Sequence, residues 1–335
     1  MDKNGDMKIT KEEFTGDNEL FKRLDVNGDG VIARDEVLGG GKEEKKQGKE
    51  IKPGGIAPTI LDVKYGSRTN QTLDLYQAKS DKPAPLVVFF HSGGFYNGDK
   101  NEVNPQGFLQ SGISVAAVNY TLISEKPLPQ ALHDAARAIQ FLRHNAGKYG
   151  IDKIRICAYG YSAGGCISVW LALHDDMVNP KSSDPVEWES SRILAAAGWD
   201  AQTALDPDTL RKWAGEAMLN PRTGLPGRFG ADSLAELEGP QFSNAVRESS
   251  AVQHLDAKDS PLFLSYEHAS RPVTGETPLS IVIHNPLFGV KFKEATGKAG
   301  LECHVMIQGV LQGEKAGSKY SNGEQFLKDK MAPGQ

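Results

Sequence analysis

The segment ICAYGYSAGGCISVW, residues 156 to 170, constrains the fold more than any other stretch of the chain. An apolar strand-like run ends at Gly160, and an apolar helical run holding Cys166, Val169, Trp170 and Ala172 begins just after Ser162. A strand that becomes a helix so abruptly needs a sharp turn. Gly160 and Gly164 stand where a side chain would collide with strand or helix, and Ser162 at the tip is forced into a strained backbone conformation. The turn also aims the helix N-terminus at the serine oxygen, where it favours negative charge. A Gly-x-Ser-x-Gly in this context predicts a nucleophilic serine at the end of a central strand.

The chain around it alternates strand and helix. TILDVKYGS and TLDLYQA predict an antiparallel pair. PLVVFFH, ISVAAVNY, KIRICAYGY, ILAAAGW, PLFLSY and ECHVMIQG are short apolar runs of the kind buried in a parallel sheet. Between them, LPQALHDAARAIQFLRHNAGKYG places Leu132, Ala135, Ala136, Ile139, Leu142 and Ala146 on one helical face and ends at Gly150. This pattern predicts an α/β fold, a mostly parallel eight-stranded sheet with helices on both faces over residues 56 to 335. Residues 201 to 260, rich in Asp, Pro and Gly with Trp213 and Phe229, are expected to form a cap insertion over the pocket.

A second motif follows the strand PLVVFF. In His91-Ser92-Gly93-Gly94-Phe95 the consecutive glycines can turn their N–H groups toward a developing oxyanion, and with the Ala163 N–H they complete a hole for acyl transfer. His91 itself is read as a brace for this loop. On HSGGF, VAAVNYTL, ALHDAARAIQFLRHNAGKYGID and GYSAGG, the chain resembles the α/β-hydrolase superfamily over roughly residues 57 to 330. Specifically, it is similar to the hormone-sensitive-lipase-like and the acetyl-xylan or feruloyl esterase-like branches. The resemblance implies a serine carboxylesterase acting on small acyl esters, with Ser162 as nucleophile and Gly93, Gly94 and Ala163 as oxyanion donors. It places an acid after strand 7, or sometimes strand 6, and a histidine after strand 8.

The last expectation meets a gap in the sequence. The run after ECHVMIQG, VLQGEKAGSKYSNGEQFLKDKM, contains no histidine, and His304 lies roughly 16 Å before the end of its strand at about 3.3 Å per residue. The connection after PLFLSY carries Glu267, His268 and His284 instead. His284 is the candidate base, the alternative being a structural or helix-capping role. Asp200, at the end of AAAGWD, is the first candidate for the carboxylate that orients it, and Glu267 the second. His133, His144, His174 and His254 are read as surface residues. Two functions stay open: an active serine esterase, or a hydrolase-like binding protein that has lost its base.

Near the N-terminus, DKNGDMKITKEE and DVNGDGVIARDE repeat the same pattern of oxygen side chains, isoleucine and closing glutamate, and resemble an EF-hand pair. Asp2, Asn4, Asp6, the Lys8 carbonyl and Glu13 would form one Ca²⁺ site. Asp25, Asn27, Asp29, the Val31 carbonyl and Glu36 would form the other, since a hard cation needs six to eight oxygens. Gly30 supplies a positive φ in the second loop where the first has Met7, so the second site is expected to bind more tightly. The calcium role is expected to be structural. With Asp2 directly after Met1, the incoming helix is missing and a longer native chain is expected. Residues 1–38 form this segment, and 39–55, with five lysines, three glutamates and six glycines, read as a linker.

Composition bounds the rest. At 39% hydrophobic residues over 335, the chain can bury a large core. A net charge of −5 without a basic patch argues against nucleic acid as a partner, and no apolar run is long enough for a membrane span. No signal peptide is read at the start, yet an EF-hand joined to an esterase suits a secreted or periplasmic protein. The implied partner is a small-molecule ester.

Overall fold

The computed structural model describes residues 8–14, 18, 21–22, 25, 30–33, 55–313 and 319–332. The chain divides into two compact units, Met1–Gly55 and Ile56–Gln335. In the first, β1 (Lys8–Thr10) pairs antiparallel with β2 (Val31–Ala33), Ile9 opposite Ile32. The Phe14 and Phe21 rings meet edge-on at 5.2 Å. Of the ten calcium-ligand candidates, Lys8, Glu13, Asp25 and Val31 are described. Asp2, Asn4, Asp6, Asn27, Asp29 and Glu36 lie outside the described residues, as does the predicted linker apart from Gly55. Glu13 accepts from the N–H and hydroxyl of Thr10, and Asp25 accepts from the Gly30 N–H at 3.0 Å, with Gly30 at φ +85°.

The second unit is built on one twisted sheet. Its strands are β3 (Ile60–Lys64), β4 (Thr72–Tyr76), β5 (Ala84–Phe90), β6 (Ser114–Val118), β7 (Ile151–Tyr161), β8 (Ala196–Trp199), β9 (Leu262–Tyr266), β10 (Cys303–Ile307) and β11 (Val310–Leu311). They lie in the order β11-β10-β9-β8-β7-β5-β6-β4-β3. The pairs from β10 through β6 are parallel, and β3, β4 and β11 are antiparallel additions at the edges. The sheet therefore has nine strands where eight were expected. The ninth is the two-residue β11, which folds back on β10 through a turn at Gln308 and Gly309, both at positive φ.

Alternation along each strand sends side chains to opposite faces. Leu86, Val88 and Phe90 of β5 join Ala116, Ile156, Ala158 and Leu264 in one core, and Val87 and Phe89 join Val115, Cys157, Tyr159 and Phe263 in the other. Because both faces are buried, the strands read as continuous apolar runs. On the first face lies α1 (Gln130–His144), whose Leu132, Ala135, Ala136, Ile139 and Leu142 are all buried. Residues 146–149 add a short further turn, and the chain leaves it at Gly150 in the left-handed region. Beside α1 packs α2 (Ala163–Leu173), apolar and buried along its whole length, as expected of a helix covered on every side. The segment between β8 and β9 forms short helices, among them α3 (Pro207–Ala214) and α4 (Leu225–Arg228). After β9 come α5 (Leu279–Ile283) and α6 (Leu287–Ala299), and α7 (Gly323–Lys330) covers the second face with Phe326 and Leu327. Among the described residues no helix is long and apolar enough to cross a membrane.

Candidate active site

Because β5, β7, β8 and β9 run parallel, their C-terminal ends open on the same edge of the sheet. Ser162 stands at the end of β7 with φ +51° and ψ −111°, a conformation that L-residues rarely adopt. Its N–H donates to the Trp199 carbonyl at 2.8 Å, and its carbonyl accepts the first helical bond, from Cys166 at 2.9 Å. The glycine requirement is direct: a Cβ at Gly164 would run into the Phe90 carbonyl oxygen, and one at Gly160 would sit 2.5 Å from it. The elbow is thus wedged against the end of β5, where the HSGG loop begins.

That loop is fixed from behind. Gly93, Gly94 and Phe95 all have positive φ, and the Gly93 carbonyl accepts from Tyr96 and Asn97. Gly93, Gly94 and Ala163 have no hydrogen-bond acceptor for their N–H groups among the described residues, so these donors are free for an incoming oxygen. His91 is buried, stacks on Tyr120 at 4.2 Å and bonds through Nδ1 to the Ser92 carbonyl, while the Tyr120 hydroxyl donates to the His91 carbonyl. It braces the loop. Asp134 is likewise structural: its carboxylate accepts from Gln71, Gln130 and the Thr121 N–H inside α1's contact with the sheet.

His284 reaches the elbow from the connection after β9. It caps the C-terminus of α5, and its Nε2 lies 3.0 Å from Ser162 Oγ. Asn285, fully buried, holds this corner by accepting from Leu287 N–H at the start of α6 and donating to the Arg271 carbonyl. Burial pushes the His284 imidazole down to about 4, with His268 and Arg228 acting in the same direction. The ring is therefore neutral at neutral pH, with a lone pair able to take the serine proton.

Asp200 makes no hydrogen bond to His284. It also sits at positive φ, and that backbone turn directs its carboxylate to the Glu267 N–H at 3.2 Å. Burial raises its pKa, against the hydrogen bond from Glu267. Glu267 is exposed, and among the described residues no carboxylate hydrogen-bonds to the His284 ring. His304 lies within β10, bonded to Glu302. His133 and His174 both meet the Glu248 carboxylate, and His254 its backbone carbonyl, so these three helix-side histidines form one surface cluster.

One residue of the site gives no signal in the sequence. Arg228, on α4 in the segment between β8 and β9, is only 4% exposed. Its Nη1 donates to Gln202 Oε1 at 2.7 Å, and Gln202 N–H in turn donates to Cys166 Sγ, one helical turn past Ser162. Burial lowers the Arg228 pKa, and no carboxylate is among the charges that act on it. At the rim, Tyr161 stacks on Trp199 at 5.1 Å and remains 47% exposed.

The BD-FAE family profile matches residues 73–273, a span that contains the HSGG loop, Ser162 and Asp200 and stops short of His284. Esterase LipI of Mycobacterium tuberculosis is 33% identical over 174 residues, covering 46% of this chain and 52% of that protein. Carboxylesterase patB of Penicillium expansum is 31% identical over 220 residues, 58% of this chain and 38% of its own length. The chain spans about half or less of these two curated relatives. In three dimensions it is similar to the acetyl ester-xyloside bifunctional hydrolase from Caldicellulosiruptor lactoaceticus, with a TM-score of 0.58 and 24% identity over 76% of this chain and 87% of that one. It is also similar to esterase Est2 from Thermogutta terrifontis, with a TM-score of 0.56 and 23% identity over 82% and 89%. These likenesses show the fold, and the family match, which covers more than half of the residues, shows that this chain belongs to the BD-FAE family.

Proposed function

We propose that this protein is a serine carboxylesterase that cleaves small acyl esters, including sugar-linked acetyl or feruloyl esters, through an acyl-enzyme on Ser162. The observation that carries the reading is the 3.0 Å approach of the His284 imidazole to a serine held on a strained strand-to-helix turn. His284 Nε2 takes the Ser162 proton as Oγ attacks the ester carbonyl. The charge that develops on the carbonyl oxygen is met by the N–H groups of Gly93, Gly94 and Ala163, which hold their positions before the substrate arrives. His284 then returns the proton to the leaving alkoxide. A water, deprotonated by the same ring, releases the acid. The exposed face of Tyr161 beside the serine offers a sugar ring a flat apolar surface. In the same direction, two fold neighbours are named an acetyl ester-xyloside bifunctional hydrolase and a carbohydrate esterase, and curated relatives are named esterases.

Labelling with a fluorophosphonate probe and turnover of p-nitrophenyl acetate test this reading. Wild-type protein that neither reacts nor turns over would favour a hydrolase-like binding protein instead.

For the N-terminal unit we infer a structural Ca²⁺ pair. The register supports it: Ile9 and Ile32, the eighth positions of the two repeats, lie opposite one another, and the Asp25 carboxylate accepts from the Gly30 N–H. Calorimetry should find Ca²⁺ binding that Asp25→Ala weakens more than Asp2→Ala does. Absence of Ca²⁺ binding would remove the inference. Such a site also suits a protein outside the cytoplasm.

A further inference from the structure

At the end of α2 away from Ser162, three histidines converge on one carboxylate. Glu248, on the helix Ser243–Ser249, turns Oε1 toward His133 Nε2 at 2.9 Å and His174 Nε2 at 3.0 Å. His133 belongs to α1, and His174 follows the last residue of α2. His254 closes the short turn Ala251–His254, with its ring centroid 4.6 Å from that of His174. One ligand atom each from His174, Glu248 and His254 lie within 4.8 Å of one another. Atoms bound to one tetrahedral zinc ion at about 2.05 Å stand about 3.3 Å apart, so small side-chain rotations close the set.

Hydrogen bonding decides which nitrogens can serve. His174 Nδ1 bonds to the Asp175 carbonyl at 2.8 Å, an oxygen that only accepts, so Nδ1 carries the proton and Nε2 of the neutral ring aims its lone pair at the Glu248 carboxylate. Two acceptors at that distance need a proton or a cation. A ring tied through one nitrogen to a backbone carbonyl, with the other nitrogen open, is the arrangement of a metal-bound histidine. His254 Nε2 faces the Glu248 carbonyl at 2.9 Å, and that oxygen also accepts from Trp170 Nε1 at 2.7 Å, so it stays bonded when His254 turns to an ion. Burial lowers the His254 pKa and keeps the ring in the neutral form a metal requires. The three residues line a surface groove with Asp175, which adds a second negative charge and leaves the cluster open to ions from solvent.

We propose that His174, Glu248 and His254 form a Zn²⁺ site, with water completing the coordination and His133 orienting the Glu248 carboxylate. Two imidazoles and one carboxylate suit Zn²⁺, whereas Ca²⁺ needs six to eight oxygens. The 11 residues of α2 put the site roughly 16 Å from Ser162 at about 1.5 Å per residue, so its role is to fasten and not to catalyse. The ion joins the helix that begins at Ser162 to the segment between β8 and β9. Because these ligands meet only in the folded chain, binding adds to stability.

The test is calorimetry of chelator-stripped protein titrated with Zn²⁺ at mildly alkaline pH, with CaCl₂ in excess to fill any oxygen-only site. The wild type should take up Zn²⁺ and gain Tm. Glu248→Gln and His254→Asn should each weaken binding by more than about 100-fold, and His133→Asn by about tenfold, as expected for loss of a ligand and of its orienting partner. His144→Asn, which alters an exposed histidine elsewhere on α1, should bind as the wild type does. In wild-type protein, where no variant has to fold, Zn²⁺ should protect His174 and His254 from diethyl pyrocarbonate and leave His144 reactive. A wild type that takes up no Zn²⁺, so that a proton alone joins the imidazoles to Glu248, overturns the proposal. Zn²⁺ binding that both Glu248→Gln and His254→Asn leave intact, or that fails to protect His174 and His254, overturns it as well.

Discussion

The pH dependence of the reaction follows from the surroundings of His284. On the proposed mechanism the ring can act as base only when neutral, which is to say above its pKa. Burial first, then His268 and Arg228, bring that pKa to about 4, and no carboxylate among the described residues bonds to the ring to pull it back up. At a pKa of about 4, roughly 90% of the imidazole is neutral at pH 5, against about 3% at the ordinary value of about 6.5. Between pH 5 and pH 8, kcat/KM should therefore change by about 1.1-fold, where an unperturbed histidine would give about thirtyfold. Initial rates on p-nitrophenyl acetate, read at the nitrophenol isosbestic wavelength and constant ionic strength, report this free-enzyme pKa. Arg228→Met, by removing one of the neighbouring cations, should move the acid limb upward. A wild-type limb centred near pH 6.5 would refute the reasoning, since it would require a carboxylate or more solvent at the ring than the structure places there.

Ser162→Ala should abolish probe labelling, and His284→Ala should lower kcat by a factor on the order of 10³, leaving what the oxyanion donors and binding supply; His268→Ala should cost much less. Asp200→Asn, in steady-state assay with p-nitrophenyl acetate, should lower kcat by less than about tenfold, because that carboxylate bonds the Glu267 N–H and not the base. A drop comparable to that of His284→Ala would mean that Asp200 orients the ring. Gly164→Ala forces a methyl into the Phe90 carbonyl and should destabilise the fold by roughly 3 kcal/mol, read as a lower urea midpoint.

Much of this was legible before any coordinates. The turn at Ser162 could be read because its constraint is local: strand, glycine, serine and helix are contiguous, and the steric reason for Gly160 and Gly164 lies within a few residues. The apolar runs of β5 to β10 were readable because both faces are covered, which removes the polar alternation of a half-exposed strand. His284 could be singled out by where histidines occur relative to strand ends. The direction of the Asp200 side chain was not, because it depends on a positive φ that the sequence around Trp199 does not announce. Nor was the isolation of Arg228, since absence of a counter-ion is a property of everything packed around a residue, and GLPGRFGAD contains no sign of it. The two-residue β11 was too short to have a periodicity.

The meeting of Phe90 with Gly160 and Gly164 has a further consequence. With the β5 carbonyl lodged where two side chains would otherwise stand, the start of the HSGG loop and the turn at Ser162 are packed directly against one another. On the proposed mechanism, discrimination between esters then falls to the connections after β8 and β9, the second of which carries His284. Exchange of residues 201–260 or 267–285 between family members should then transfer substrate preference, while grafts of the HSGG loop alone should fail unless the elbow glycines travel with it.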